Sequence, residues 1–137
     1  MYLLDTNVIC ETIKKTPDQK VVDFLSSIPI QKFSLSVITL GEIRKGVEKM
    51  GDATKKQKIL KWLETDLQNQ FCGRMINIDS AVADKWGYIS SILNVPPIDA
   101  LIAASAIVHN HKLVTRNVKD FKGIVGLEII NPWEAAC

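Results

Sequence analysis

Short apolar runs alternate with helix-patterned segments, and this alternation constrains the chain more than any other feature. Tyr2–Leu4 is an apolar run that stops at a carboxylate, Asp5, and reads as a buried strand. Residues 32–36, 74–78, 112–115 and 127–130 are four more runs of strand length. Residues 7–14 look helical, and Pro17-Asp18 starts a second helix carrying Val21, Val22, Phe24, Leu25 and Ile28, which Pro29 ends. Ser36 is placed to cap a helix over 37–50, where Leu40, Ile43, Val47 and Met50 form one stripe. Gly51-Asp52 breaks the pattern before a long amphipathic helix over 53–71, buried through Ile59, Leu60, Leu63 and Leu67. Asp79-Ser80 cap a helix that runs through Ile92. Pro97 suits the first turn of another, which extends to about His109 and is apolar nearly all round, as a central buried helix would be. Short strands separated by helices predict an α/β fold with a mostly parallel sheet of about five strands, covered on both faces.

A chain of 137 residues fits one domain, which can build its core without disulfides or a structural metal. Cys10, Cys72 and Cys137 include no C-x-x-C pair, so neither a zinc site nor a disulfide framework is indicated, and reduced thiols of a cytoplasmic protein are expected. Met1-Tyr2-Leu3-Leu4-Asp5 lacks the basic and apolar regions of a signal peptide, and the apolar stretch over 100–108 is far shorter than the roughly 20 residues of a membrane span. A net charge of +2 is too mild to announce nucleic-acid binding. The distribution says more: residues 44–61 hold seven basic side chains (Arg44, Lys45, Lys49, Lys55, Lys56, Lys58, Lys61) against Glu48 and Asp52. That segment is either a solvated helical face or a track for phosphates.

Four carboxylates stand where such a fold gathers chemistry. Asp5 ends the first strand, and ligands of open α/β sheets bind beyond the strands' carboxyl ends; as a plain helix cap it would also be ordinary. Glu42 lies off the apolar stripe of its helix. It is flanked by Gly41 and Gly46, which cost helix stability and imply close packing or a close backbone approach. Asp99 falls in the first turn of the most apolar helix, where the helix dipole favours it, but a partly buried carboxylate there needs a partner or a metal. Asp120 follows the fourth strand in Thr115-Arg116-Asn117-Val118-Lys119-Asp120-Phe121, whose hydroxyl, guanidinium and amide groups are donors for phosphate oxygens. His109 and His111 sit at the far end of the buried helix and read as structural. A cluster of oxygen donors without histidine or cysteine suits Mg²⁺, or Mn²⁺, rather than zinc.

At these residues the sequence resembles the PIN-domain ribonucleases, specifically the VapC toxins of toxin–antitoxin pairs. The matching segments are Leu3-Leu4-Asp5-Thr6-Asn7, Leu40-Gly41-Glu42-Ile43 with Gly46, Pro97-Ile98-Asp99-Ala100-Leu101-Ile102-Ala103-Ala104, the run from Leu113 to Phe121, and Asn131-Pro132-Trp133. The resemblance implies a single PIN domain over 1–137, folded as a three-layer α/β/α sandwich. It implies a metal-dependent endoribonuclease whose metal-binding acids are Asp5, Glu42, Asp99 and Asp120, supported by Thr6, Asn7, Thr115 and Asn117, with Thr115 or Arg116 positioning a phosphate. The implied products carry 5′-phosphate and 3′-hydroxyl ends. A small antitoxin that places an arginine among the acids, and a second copy of the chain, are the implied partners. The segment carrying Arg44, Lys45, Lys49, Lys55, Lys56 and Lys58 would then contact either RNA backbone or antitoxin.

Two other functions compete. A phosphatase of the haloacid-dehalogenase type also starts from an aspartate after its first strand, but it needs a second Asp two residues on, where this chain has Asn7. A catalytically silent regulatory subunit would bind operator DNA through its antitoxin, a reading that the presence of all four acids disfavours.

Overall fold

The computed structural model describes residues 1–134. Five strands form one sheet: β1 (Tyr2–Leu4), β2 (Phe33–Ser36), β3 (Met75–Ile76), β4 (Lys112–Val114) and β5 (Ile129–Ile130). They pair in the order β3-β2-β1-β4-β5, and every pairing is parallel. β1 matches its apolar run, and the other four strands are shorter than theirs, because the flanking residues turn into helix caps and loops.

Eight α-helices connect and cover the strands: α1 (Thr6–Thr12), α2 (Gln19–Ser26), α3 (Val37–Glu48), α4 (Ala53–Lys61), α5 (Leu67–Gln70), α6 (Ser80–Ile92), α7 (Pro97–Val108) and α8 (Val118–Phe121). Side chains of a strand alternate between its two faces, so consecutive residues serve different cores. Leu3 and Leu113 join Val82, Ile89, Ile102 and Phe121 on the α6–α7 side. Leu4 and Val114 join Val8, Val21, Ile43, Leu67 and Phe71 on the other. The expected three layers follow from that division.

The caps expected at Ser36 and Asp79 are present, and the start at Asp18 and the break at Asp52 also prove to be caps. Oxygens of Asp18, Ser36, Asp52 and Asp79 accept from the first-turn amides of α2, α3, α4 and α6. The long helix expected over 53–71 is not continuous. A π-helical turn at Trp62–Asp66 separates α4 from α5, and the Thr65 hydroxyl bonds the Lys61 carbonyl at 2.6 Å within it. Leu63, inside this turn, and Leu67, just after it, are both buried.

His111 lies at the opposite end of the sheet from the carboxylates, with Nδ1 2.8 Å from the Ser34 hydroxyl, in the structural role expected of it. Cys10 is half-buried and Cys72 exposed, both as free thiols, while Cys137 lies outside the described residues. Among the described residues no helix is long and apolar enough to cross a membrane.

Candidate active site at the carboxyl end of the sheet

β1 and β4 are adjacent, so the residues that follow them emerge side by side. Asp5 is buried and caps α1, its Oδ1 accepting from the Thr6 amide at 2.8 Å. Its Oδ2 accepts from the Thr115 hydroxyl at 2.7 Å and from the Asn7 side-chain amide at 3.3 Å. Both Asp5 oxygens are therefore fixed by neighbours that donate to the charged form. Burial outweighs these donors and pushes the Asp5 carboxyl above its ordinary value, with the charge of Asp120 adding to the effect.

Glu42 arrives on α3. Its Oε1 accepts from the Thr6 hydroxyl at 2.5 Å, and the same hydroxyl lies 3.2 Å from that of Thr39. Thr6 thus ties the end of β1 to α3. Thr39 is fully buried and had no place in the sequence-based site. The available signal was a polar residue on the buried face of an amphipathic helix, one turn before Glu42.

Asp99 lies in the first turn of α7. Its carboxyl is pushed up to about 6, first by burial and then by the charges of Asp5, Asp120 and Glu42. No hydrogen bond or ion pair joins its side chain to the described residues. Asp120, in α8, is exposed, and its side chain likewise makes none. The four acids, drawn from the end of β1 and from α3, α7 and α8, therefore sense one another through space. Among the described residues, however, no three such side chains stand close enough to grip an ion.

Thr6, Asn7, Thr115, Arg116 and the backbone of Asn117 surround Asp5 through a chain of hydrogen bonds. Asn7 also donates to the Thr115 hydroxyl at 3.3 Å, and the Asn117 amide donates to that hydroxyl at 3.1 Å. Arg116 keeps its backbone N–H on Asn7 Oδ1 at 3.2 Å, but its guanidinium lies over the ring of Trp133. Asn7 is thus occupied as a scaffold residue. It offers no general acid, which is the function a dehalogenase-type phosphatase would need there.

The basic segment divides. Arg44 pairs with Glu48 and Glu64, and Lys56 with Glu48. Lys45 and Lys49 instead line an open groove that begins at Glu42 and includes Ile38, Gly41, Gly46 and Ile98. Lys55 and Lys58 are exposed on α4, on the far side of Gly51 from that groove.

Close packing was the expected reason for Gly41 and Gly46, and the structure contradicts it. A Cβ built on either would meet nothing within 4 Å, because both lie on the exposed side of α3. Gly41→Ala should therefore raise the free energy of unfolding by about 1 kcal/mol, the helix-propensity difference, in a urea titration. A loss of stability would show that the site is tighter than this geometry allows.

Known proteins share this sequence pattern and fold. A model of the PIN domain matches residues 2–126. VapC ribonuclease Y4jK of Sinorhizobium fredii is 31% identical over 141 residues, spanning 99% of this chain and 100% of the relative. The crystal structure of FitAcB from Neisseria gonorrhoeae superposes with a TM-score of 0.90 at 33% identity, covering 98% of this chain and 100% of that one. A toxin–antitoxin complex from Klebsiella pneumoniae superposes with a TM-score of 0.73 at 27% identity, covering 98% and 100%.

Proposed function

The chain belongs to the PIN-domain family, and from that premise we propose that it is the toxin of a toxin–antitoxin pair, a metal-dependent endoribonuclease of the cytoplasm. One observation carries the catalytic part of this reading. Asp99 stands half-buried beside Asp5, Glu42 and Asp120, raised to about 6 and without a cationic partner among the described residues. Such a cluster is costly unless a cation joins it.

The donors fit a hard divalent ion, Mg²⁺ or Mn²⁺, since every candidate ligand is a carboxylate oxygen. Asp5 and Asp99 are the proposed direct ligands, with Glu42 and Asp120 completing the set or orienting the attacking water. Such an ion, when bound, acidifies water and neutralises charge developing on the phosphoryl oxygens. The chain's own residues arrange the rest. Thr115, Asn7 and the Thr6 amide hold Asp5 in one rotamer. The Thr6 hydroxyl holds Glu42, and Thr39 steadies Thr6. The Asn117 amide orients the Thr115 hydroxyl that reaches Asp5.

An antitoxin that inserts an arginine among the acids would supply the missing positive charge and close the site. Exposed Trp86, Tyr88, Ile92 and Ile98 offer apolar area for a second copy of the chain. The direct experiment expresses the chain alone and with the protein of the neighbouring reading frame. Expression alone should arrest growth and yield RNA fragments with 5′-phosphate and 3′-hydroxyl ends, and co-expression should relieve both. Arrest without any new RNA ends would reject the ribonuclease.

Lys45 and Lys49 are the proposed contacts to the RNA backbone, because they line the groove that starts at Glu42 and are free of the ion pairs that engage Arg44 and Lys56. Measured as log affinity against log salt, the double variant Lys45→Ala/Lys49→Ala should lower the slope by about 2, roughly one for each phosphate left without its lysine. Lys55→Ala/Lys58→Ala should change the slope by less. The reverse order would move the RNA track onto α4.

A further inference from the structure

Two strands from Asp5, on the same edge of the sheet, lies an arrangement that hydrolysis at the acids does not use. β1, β4 and β5 are neighbours, so Asp5, Arg116 and Trp133, which follow them in the chain, all leave from the same end of the sheet. Alternation along β4 sets their directions. Thr115 reaches Asp5, and Arg116, one residue on, turns to the opposite side, where Trp133 packs against the α1–α2 core.

There the Arg116 guanidinium lies over the Trp133 indole, 5.2 Å from the ring centre. Both residues are pinned at the backbone. The Arg116 N–H donates to Asn7 Oδ1 at 3.2 Å, and Asn7 in turn donates to Asp5. The Trp133 N–H donates to Asn131 Oδ1 at 3.0 Å. Trp133 is half-buried and Arg116 is exposed, and among the described residues no carboxylate forms an ion pair with Arg116. The Arg116 side chain is exposed beside the indole, and the nearby Glu11 carboxylate feels its charge.

We propose that Arg116 stacked on Trp133 is the platform that receives an unpaired RNA base a few nucleotides from the bond cut at the acids. The proposal rests on the ribonuclease reading and adds to it where the strand is held. A guanidinium is flat and weakly hydrated, and unstacked bases lie against such planes. Trp133 holds the plane in place before RNA arrives, so little freedom is lost on binding. Its positive charge also favours a phosphate chain that must approach four carboxylates. Stacking tolerates any base, so the platform selects for single-stranded, splayed RNA rather than for one sequence.

The test is cleavage of single-stranded oligonucleotides with an abasic site moved one position at a time across the cut. It is run with Mg²⁺ on the wild type, Arg116→Ala, Arg116→Lys, Trp133→Phe and Trp133→Ala. In the wild type, one abasic position should raise KM roughly 10-fold. Arg116→Ala and Trp133→Ala should each raise KM by a similar factor on intact RNA, with a smaller change in kcat, and should be insensitive to the abasic site at that position. Arg116→Lys, which keeps the charge and loses the plane, should behave as Arg116→Ala does, whereas Trp133→Phe should retain most of the wild-type behaviour. Identical abasic penalties in the wild type and in Arg116→Ala at every position would overturn the platform while leaving the nuclease in place. A wild-type chain that cuts no RNA would overturn the nuclease reading and the platform with it.

Discussion

Asp99→Asn and Asp5→Asn should each lower RNA cleavage by on the order of 10²–10³-fold or more, because each removes a charge proposed to hold the ion at the scissile phosphate. Both variants should stay folded. Asp99 makes no hydrogen bond that the amide would break, and in Asp5→Asn the side-chain oxygen can still accept from the Thr6 amide. The residues behind the acids should matter less. Thr6→Val and Thr115→Val should each cost about 10- to 100-fold, the usual range for groups that only orient a ligand. Steady-state cleavage of a labelled RNA, beside circular dichroism of each variant, checks this ordering. Near-wild-type rates in Asp99→Asn would remove Asp99 from the site.

The second large effect joins metal and pH. The folded chain holds the Asp99 proton up to about 6, whereas the unfolded chain releases it near the ordinary aspartate value of 3.8. Without metal, the stabilisation linked to this proton is fully present below the unfolded value and is lost as pH rises through about 6. Asp99→Asn carries no charge at any pH. It should therefore melt above the wild type in EDTA at pH 8, and the difference should vanish near pH 4. Asp5, raised by burial, acts in the same direction.

Metal reverses the order, since a divalent ion competes with those protons. At pH 8 and 100 times the Kd, the ion should stabilise the wild type by about 2.7 kcal/mol, and EDTA should abolish cleavage. With metal well below its Kd, kcat/KM should fall roughly ten-fold per pH unit below about pH 6 for one proton, and more steeply if Asp5 also titrates, whereas saturating metal should move the fall to lower pH. Thermal melts and cleavage rates from pH 5 to 8, with and without Mg²⁺, measure both. A flat pH profile would mean that Asp99 carries no linked proton.

Strand-end and first-turn positions are local signals, so Asp5 and Asp99 were legible in the sequence. The five parallel strands and most helix caps were legible for the same reason, since each rests on neighbouring residues. Glu42 stood out only through its flanking glycines, and the packing inferred from them is absent. The π-turn at Trp62–Asp66 was hidden because its periodicity differs from that of an α-helix by one residue. Thr39 was hidden because its partner, Thr6, is 33 residues away. Arg116 and Trp133 meet only because β4 and β5 pair, and strand order cannot be read from either segment alone. Local chemistry therefore pointed to the carboxylates as candidates, and only the assembled sheet showed which side chains hold them and what lies beside them.

A crystal of the chain grown with Mn²⁺, with data collected at the manganese absorption edge, tests most directly whether the acids share an ion. One strong anomalous peak, or two adjacent ones, is expected, with carboxylate oxygens of Asp5 and Asp99 about 2.0–2.2 Å away and with Glu42 or Asp120 in contact directly or through water. Manganese bound elsewhere, with Asp5 and Asp99 still apart at a concentration that supports full cleavage, would contradict a shared ion.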